Sequence, residues 1–132
     1  MQILCIIILL TLTVIIHSLW MFGVLKYIRF ELDSAVRIVL RNVVIVISMI
    51  LAHLLEAALF AGFYFVLHAF EDWNTSFYFS LVSYATVGYG DVTLPTEWRL
   101  IGGIEGLLGA LMVGWSVAVL VAVLQRLRGM SA

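Results

Sequence analysis

The sequence predicts an all-α membrane protein with three spanning helices and a fourth, shorter helix that enters the bilayer and returns to the same side. Three observations carry this. Of 132 residues, 64% are hydrophobic and only 11% charged, against about 25% charged in ordinary soluble domains, so lipid has to cover the chain. Three stretches reach the roughly 20 mostly apolar residues needed to cross the hydrocarbon core. Between the second and third lies a mixed segment, Asp72 to Glu97, that is too short to cross as a helix and return.

The first run, Ile3 to Leu25, holds no charged residue apart from the titratable His17. It lacks the basic leader and the small-residue cleavage site of a secretory signal, and its apolar core is too long for one. A retained N-terminal helix over residues 1–28 is therefore expected. A cytoplasmic linker is expected over 29–37. The surrounding RFELDSAVRIVLR, Arg29 to Arg41, mixes apolar and charged positions at helical spacing. It suits a helix lying along the inner membrane surface, or equally a solvated turn. The second run, Ile38 to Phe70, is interrupted by Arg41, His53, Glu56 and His68, and the third, Leu100 to Leu124, contains Glu105 alone.

Charge sets the orientation. Six of the seven Lys and Arg residues are Lys26, Arg29, Arg37 and Arg41 in the first loop, and Arg126 and Arg128 at the C-terminus. The mixed segment offers Glu71, Asp72, Asp91 and Glu97 against Arg99. The positive-inside rule then places the first loop and the C-terminus in the cytoplasm, and the N-terminus and the mixed segment outside. A multi-pass protein of the cell (plasma) membrane is expected, with the lipid bilayer as its surroundings. A net charge of −1 gives no reason to expect nucleic acid as a partner. Cys5 is the single cysteine, which excludes an intrachain disulfide and a cysteine metal site. No nucleophile–base pair or phosphate loop points to an enzyme, to an organic cofactor, or to any small-molecule substrate other than ions.

The mixed segment reads as a short helix followed by a return. Asp72, Asn74 and Thr75 are helix N-cap candidates, and about ten residues without a breaker follow them. Next comes SYATVGYGDV, Ser83 to Val92. Non-helical backbone at membrane depth survives only where protein buries it or it lines a wet cavity. Gly88 and Gly90 supply conformations that a side chain would forbid, and Pro95 marks the turn into the third span. An extended segment with alternating conformations can aim successive carbonyls one way. Four copies around an axis would then stack rings of oxygens that replace an ion's hydration shell.

Thr86-Val87-Gly88-Tyr89-Gly90-Asp91 resembles the signature filter of potassium channels. Its setting, from Ile38 to Arg126, is similar to the pore module of the tetrameric cation channels, most of all to small prokaryotic members without a voltage sensor. The resemblance implies a pore domain over 38–127, with an outer helix at 38–70, a pore helix at 74–85, a filter at 86–91 and an inner helix at 98–127. It implies a homotetramer that conducts potassium passively. K+ ions in the filter would be held by the carbonyls of Thr86, Val87, Gly88 and Tyr89 and by the Thr86 hydroxyl. Gly90, Asp91, Tyr78, Ser83 and Glu105 would support the filter, and Gly109 matches the glycine where inner helices of the family bend. The apolar Val117, Leu120 and Leu124 below it suit closure of the inner mouth by dewetting. The first helix lies outside the resemblance and has no periodic arginines, so it is not a voltage sensor.

The sequence also departs from the family pattern. Ala85 stands where many filters have a first threonine, and Val82 where some prokaryotic pore helices have a glutamate. Tyr78 and Phe79 replace a tryptophan pair. Phe79 cannot hydrogen-bond, so the Tyr89 hydroxyl needs another partner, and Ser83 is the candidate. Filter rigidity is put in question more than potassium selectivity. A weakly selective cation channel and a non-conducting assembly subunit are the alternatives.

Two glutamates and two histidines remain inside the spans. Glu56 falls near the bilayer centre, where an unpaired charge costs about 2.5–3.5 kcal/mol, so it should face protein and be paired or protonated. His53 lies one turn earlier on the same face, and His17 reaches a similar depth on the first helix. A polar contact that docks the first helix on the second is the leading expectation, with a proton-sensing gate as the bolder one. Glu105 falls at the depth of the filter. It is expected either to bond groups behind the filter, in place of the glutamate missing at Val82, or to face a wet crevice.

Overall fold

The computed structural model describes residues 2–27 and 34–129; residues 29–33 of the expected linker lie outside these. Four α-helices follow in order: α1 (Gln2–Tyr27), α2 (Ala35–Val66), α3 (Trp73–Tyr84) and α4 (Arg99–Gly129), the last preceded by a 3-10 turn over Thr96–Trp98. Helices α1, α2 and α4 are each long and apolar enough to cross a membrane. The 12 residues of α3 amount to about 18 Å at 1.5 Å per residue, well short of the hydrocarbon core.

Helix α2 begins inside the segment assigned to the linker. Residues 35–41 continue without a break into the spanning helix, so among the described residues no separate surface helix forms. Arg37 and Arg41 thus occupy the first two turns of α2. Its 32 residues extend for about 48 Å, longer than the bilayer core needs.

The other end of α2 comes four residues earlier than expected, at Val66 instead of position 70. Leu67 caps the helix and His68 takes the left-handed conformation, φ 53°. The His68 N–H then donates to the Phe65 carbonyl at 3.1 Å and the Ala69 N–H to the Tyr64 carbonyl at 2.9 Å. This is the paired C-terminal closure that glycine usually makes. With histidine in the glycine position, the sequence carries no visible stop signal.

Helix α3 starts at Trp73 because Asp72 is its N-cap, accepting from the Thr75 N–H at 2.9 Å and the Thr75 hydroxyl at 2.7 Å. It ends at Tyr84, with Ala85 as C-cap, one residue before the expected boundary. The inner helix begins at Arg99, not 98, because Trp98 closes the 3-10 turn onto the Pro95 carbonyl at 2.9 Å.

Two apolar cores hold the helices together. One joins Leu9 of α1, Ala57, Phe60 and Tyr64 of α2, Tyr84 of α3 and Ile101, Leu108 and Met112 of α4. The other, toward the opposite end, joins Val24, Ile45, Val119 and Val123. Gln2 donates to the carbonyl of Glu97 at 2.8 Å, so the start of α1 stands at the same end of the molecule as the turn into α4. Most other large apolar side chains on the three long helices are exposed in the single chain, as a lipid-covered or self-associating protein requires.

Candidate functional site

The loop after α3 turns its amide donors and its carbonyls to different uses. The Thr86 N–H donates to the Ser83 carbonyl at 2.9 Å, and the N–H groups of Val87 and Gly88 donate to the Val82 carbonyl at 2.9 and 3.4 Å. Three successive donors therefore fold back onto the last turn of α3. Among the described residues, no backbone hydrogen bond reaches the carbonyls of Thr86, Val87, Gly88 or Tyr89. Four carbonyls in sequence without a backbone donor suit a cation.

Backbone handedness alternates along the same segment. Thr86, Gly88 and Gly90 have φ of 58°, 57° and 78°, whereas Val87 and Tyr89 between them are not in the positive region. In a regular strand successive carbonyls point to opposite sides. Alternating left- and right-handed residues turn every second peptide over and so can bring carbonyls to one side. The two glycines adopt this conformation without a steric cost, but Thr86 carries strain of about 1–2 kcal/mol. The segment from Ala85 to Asp91 is exposed throughout in the single chain.

A protein-family comparison identifies residues 43–126, well over half of the chain, as an ion channel. The chain belongs to the ion channel family. Comparisons with curated proteins and with solved structures found no match. The matched region takes in α2 from Val43 onward, the whole of α3 and the loop after it, and α4 up to Arg126, but none of α1.

The channel's two aromatic substitutions on α3 face different ways. The Tyr78 hydroxyl donates to Asp91 Oδ2 at 2.7 Å, and this bond holds the Asp91 carboxyl below the usual carboxylate range. Phe79 turns toward α2, packing on Tyr64 and Phe70 at ring distances of 5.4 and 5.2 Å. Tyr89 does not reach Ser83 as expected. Its ring is 72% exposed on the chain surface, and among the described residues no hydrogen bond joins the two. The Ser83 carbonyl instead caps the Thr86 N–H.

Gly109 of the channel sits where α4 presses on the end of α3. A Cβ there would lie 2.0 Å from the Tyr84 carbonyl oxygen and 2.8 Å from its carbonyl carbon. Gly102 and Gly106 are also close to neighbours, with a Cβ meeting Leu94 at 2.8 Å and the Ser83 carbonyl at 3.2 Å respectively. Helix α4 runs unbroken through all three. Gly109 therefore has a packing role that its sequence position as a bend did not disclose.

Glu105 is fully buried. It accepts from the Tyr64 hydroxyl at 2.7 Å and meets the Ser80 hydroxyl, which also lies 2.6 Å from the Ala57 carbonyl. It thus ties α4 to α2 and α3. Ser80 and Tyr64 were not legible as its partners. The available signal was a serine and a tyrosine embedded in apolar helices.

The expected trio His17, His53 and Glu56 does come together, and two unforeseen residues join it. His17 Nδ1 is 3.0 Å from Glu56 Oε1, and the Tyr84 hydroxyl bonds Glu56 Oε2. His53 Nδ1 is 3.1 Å from the Tyr84 hydroxyl, and His53 Nε2 is 3.0 Å from Ser116 Oγ. Ser116 Oγ lies 3.4 Å from His17 Nε2. The ligand atoms of His17, His53 and Glu56 fall within 4.8 Å of one another, a spacing that would admit a cation. However, both Glu56 oxygens and both Nδ1 atoms are already engaged in these contacts, so the geometry is that of a closed polar ring.

Proposed function

We propose that the chain is a potassium-selective channel in which four copies surround one axis and pass K+ down its electrochemical gradient. The carrying observation is the loop from Thr86 to Tyr89. Its donors are spent on α3, its carbonyls are free, and its backbone alternates in hand. Exposed backbone of this kind has no place against lipid, so the surface that carries it belongs around a shared, ion-filled path.

In this reading the carbonyls of Thr86, Val87, Gly88 and Tyr89, with the Thr86 hydroxyl, replace water around K+. Asp91, held by Tyr78, adds a ring of negative charge at the outer mouth and concentrates cations there. The C-terminal ends of four α3 helices, with their partial negative charge, face the ion below the filter. The exposed Tyr89 ring lies where a neighbouring copy stands, and Val117 and Leu124, exposed on α4, line the inner path. The filter mouth faces outward in the plasma membrane, with the N-terminus outside and the C-terminus in the cytoplasm.

Native mass spectrometry of the purified chain in mild detergent tests the assembly, and a mass of four copies is expected. Liposomes carrying the wild-type chain should take up potassium, whereas Gly88→Ala liposomes should not, because φ of 57° is strained for alanine. A monomer only, or equal uptake by both, would refute the proposal.

A further inference from the structure

The polar ring is short of one proton when counted from its contacts. It runs His17–Glu56–Tyr84–His53–Ser116 and back to His17, a closed circuit of five contacts. Each contact needs one hydrogen. With Glu56 ionised and both imidazoles neutral, His17, His53, Tyr84 and Ser116 bring one hydrogen apiece, which leaves one contact without any. With His53 protonated at Nε2 the unmet contact falls between His53 Nδ1 and the Tyr84 hydroxyl; with Nδ1 protonated it falls at Ser116. In the latter case the single Ser116 hydroxyl hydrogen faces two ring nitrogens, His53 Nε2 and His17 Nε2, and can satisfy only one of them. The same state leaves a net charge of −1 in a site where His17 and Glu56 are both 0% exposed.

One added proton removes both faults. If His17 carries it, Nδ1–H donates to Glu56 and Nε2–H to Ser116. Ser116 then donates to His53 Nε2, His53 Nδ1–H to Tyr84, and Tyr84 to Glu56. Every contact holds one hydrogen and the ring is neutral overall. Two indole rings favour His17 as the carrier: Trp20 and Trp115 both have ring centroids 5.4 Å from its imidazole, within the range at which an aromatic ring attracts a cation. The titratable groups that face the ring are His17 from α1, His53 and Glu56 from α2, and Tyr84 from α3. From α4, Glu105 acts on Tyr84, and Ser116 is neutral.

We propose that this ring is a proton-binding site that holds a His17 imidazolium–Glu56 carboxylate pair at and above neutral pH. It gives the N-terminal helix a purpose, since α1 lies outside the family match yet supplies the proton carrier. The ring also reaches Tyr84, the last residue of α3, which only Ala85 separates from Thr86. Binding of the proton closes the link among all four helices, and its loss leaves one contact of that link without a hydrogen. The inference rests on hydrogen-bond geometry and not on ion conduction.

The test is nitrogen NMR of the full chain, labelled with 15N-histidine and reconstituted in lipid at pH 8, where a free imidazole in water (about 6.5) is neutral. Signals are assigned with His68→Gln and His53→Gln. One imidazolium, with both nitrogens protonated, is expected at His17. It should vanish in Glu56→Gln, whose amide supplies the missing hydrogen and removes the charge. It should persist in Tyr84→Phe, because His53 Nδ1 also lies 3.4 Å from Glu56 Oε2 and the ring stays one hydrogen short. Two neutral imidazoles in the wild-type spectrum would overturn the proposal without recourse to any variant. So would an imidazolium that survives Glu56→Gln, a protonated Glu56 carboxyl in the infrared spectrum, or histidine signals that move on adding a chelator. A second readout is heat stability. A proton held by the folded chain and released by the unfolded one stabilises most at low pH, so Tm should fall as pH rises from 7 to 10 and be flatter in Glu56→Gln.

Discussion

Replacing Gly109 by alanine separates a packing role from a bending role. The new Cβ would stand 2.0 Å from the Tyr84 carbonyl oxygen, 2.8 Å from its carbonyl carbon and 3.0 Å from its Cα. These are backbone atoms at the end of α3, so no side chain can rotate aside. Helix α4 has to withdraw by about 1 Å in an interior that is otherwise close-packed. Overpacking of this kind costs about 1–3 kcal/mol, offset by up to ~1 kcal/mol from the better helix propensity of alanine. A net loss of about 1–2 kcal/mol per chain is expected, together with displacement of the turn that follows α3. Gly62→Ala is the control, since a Cβ at Gly62 meets nothing within 4 Å, and it should be neutral or slightly stabilising. The assay is denaturant unfolding in micelles followed by tryptophan fluorescence, run beside potassium uptake into liposomes. A bending role predicts the opposite pattern for Gly109→Ala, a more stable chain that conducts less. Unchanged or increased stability would therefore refute the packing argument.

Other substitutions probe the remaining supports. Tyr64→Phe removes one of the donors to buried Glu105 and should cost about 1–3 kcal/mol in the same unfolding assay. Glu105→Gln keeps shape and hydrogen bonding and should cost less than Glu105→Ala, which also leaves a cavity worth about 2 kcal/mol or more. Asp72→Ala removes the N-cap of α3 and should lower stability by about 0.5–2 kcal/mol. At the outer mouth, Asp91 titrates below the ordinary carboxylate range because Tyr78 donates to it. Its charge is present above that titration and lost as external pH falls through it. Wild-type potassium current should thus survive to lower external pH than that of Tyr78→Phe, whose midpoint should lie higher; equal midpoints in a current–pH titration would count against the Tyr78 bond.

The spans, the short helix and the loop were legible because each has a local cause: apolar length, the Asp72 cap, and two glycines beside a threonine. The end of α2 was not, because His68 does the work of a glycine and sequence rules look for glycine. The meeting of His17, His53 and Glu56 could be anticipated from depth and helical spacing. Tyr84 and Ser116 could not, since their place in the ring depends on how α3 and α4 cross α2, and a serine or tyrosine in an apolar helix announces no partner. Glu105 was expected to bond groups behind the loop or to face a wet crevice, and its partners Ser80 and Tyr64, on α3 and α2, were not named by the sequence. The contacts of Phe79 with Tyr64 and Phe70 likewise follow from aromatic packing that only the assembled chain reveals.

The most direct test of potassium selectivity is the reversal potential of the purified protein in a planar bilayer with potassium on one side and sodium on the other. A reversal close to the potassium equilibrium potential is predicted, because on the proposed reading the carbonyls of Thr86 to Tyr89, which accept no backbone hydrogen bond among the described residues, replace the hydration shell of that ion. A reversal near zero with measurable current would contradict selectivity and leave a cation channel with a loose filter.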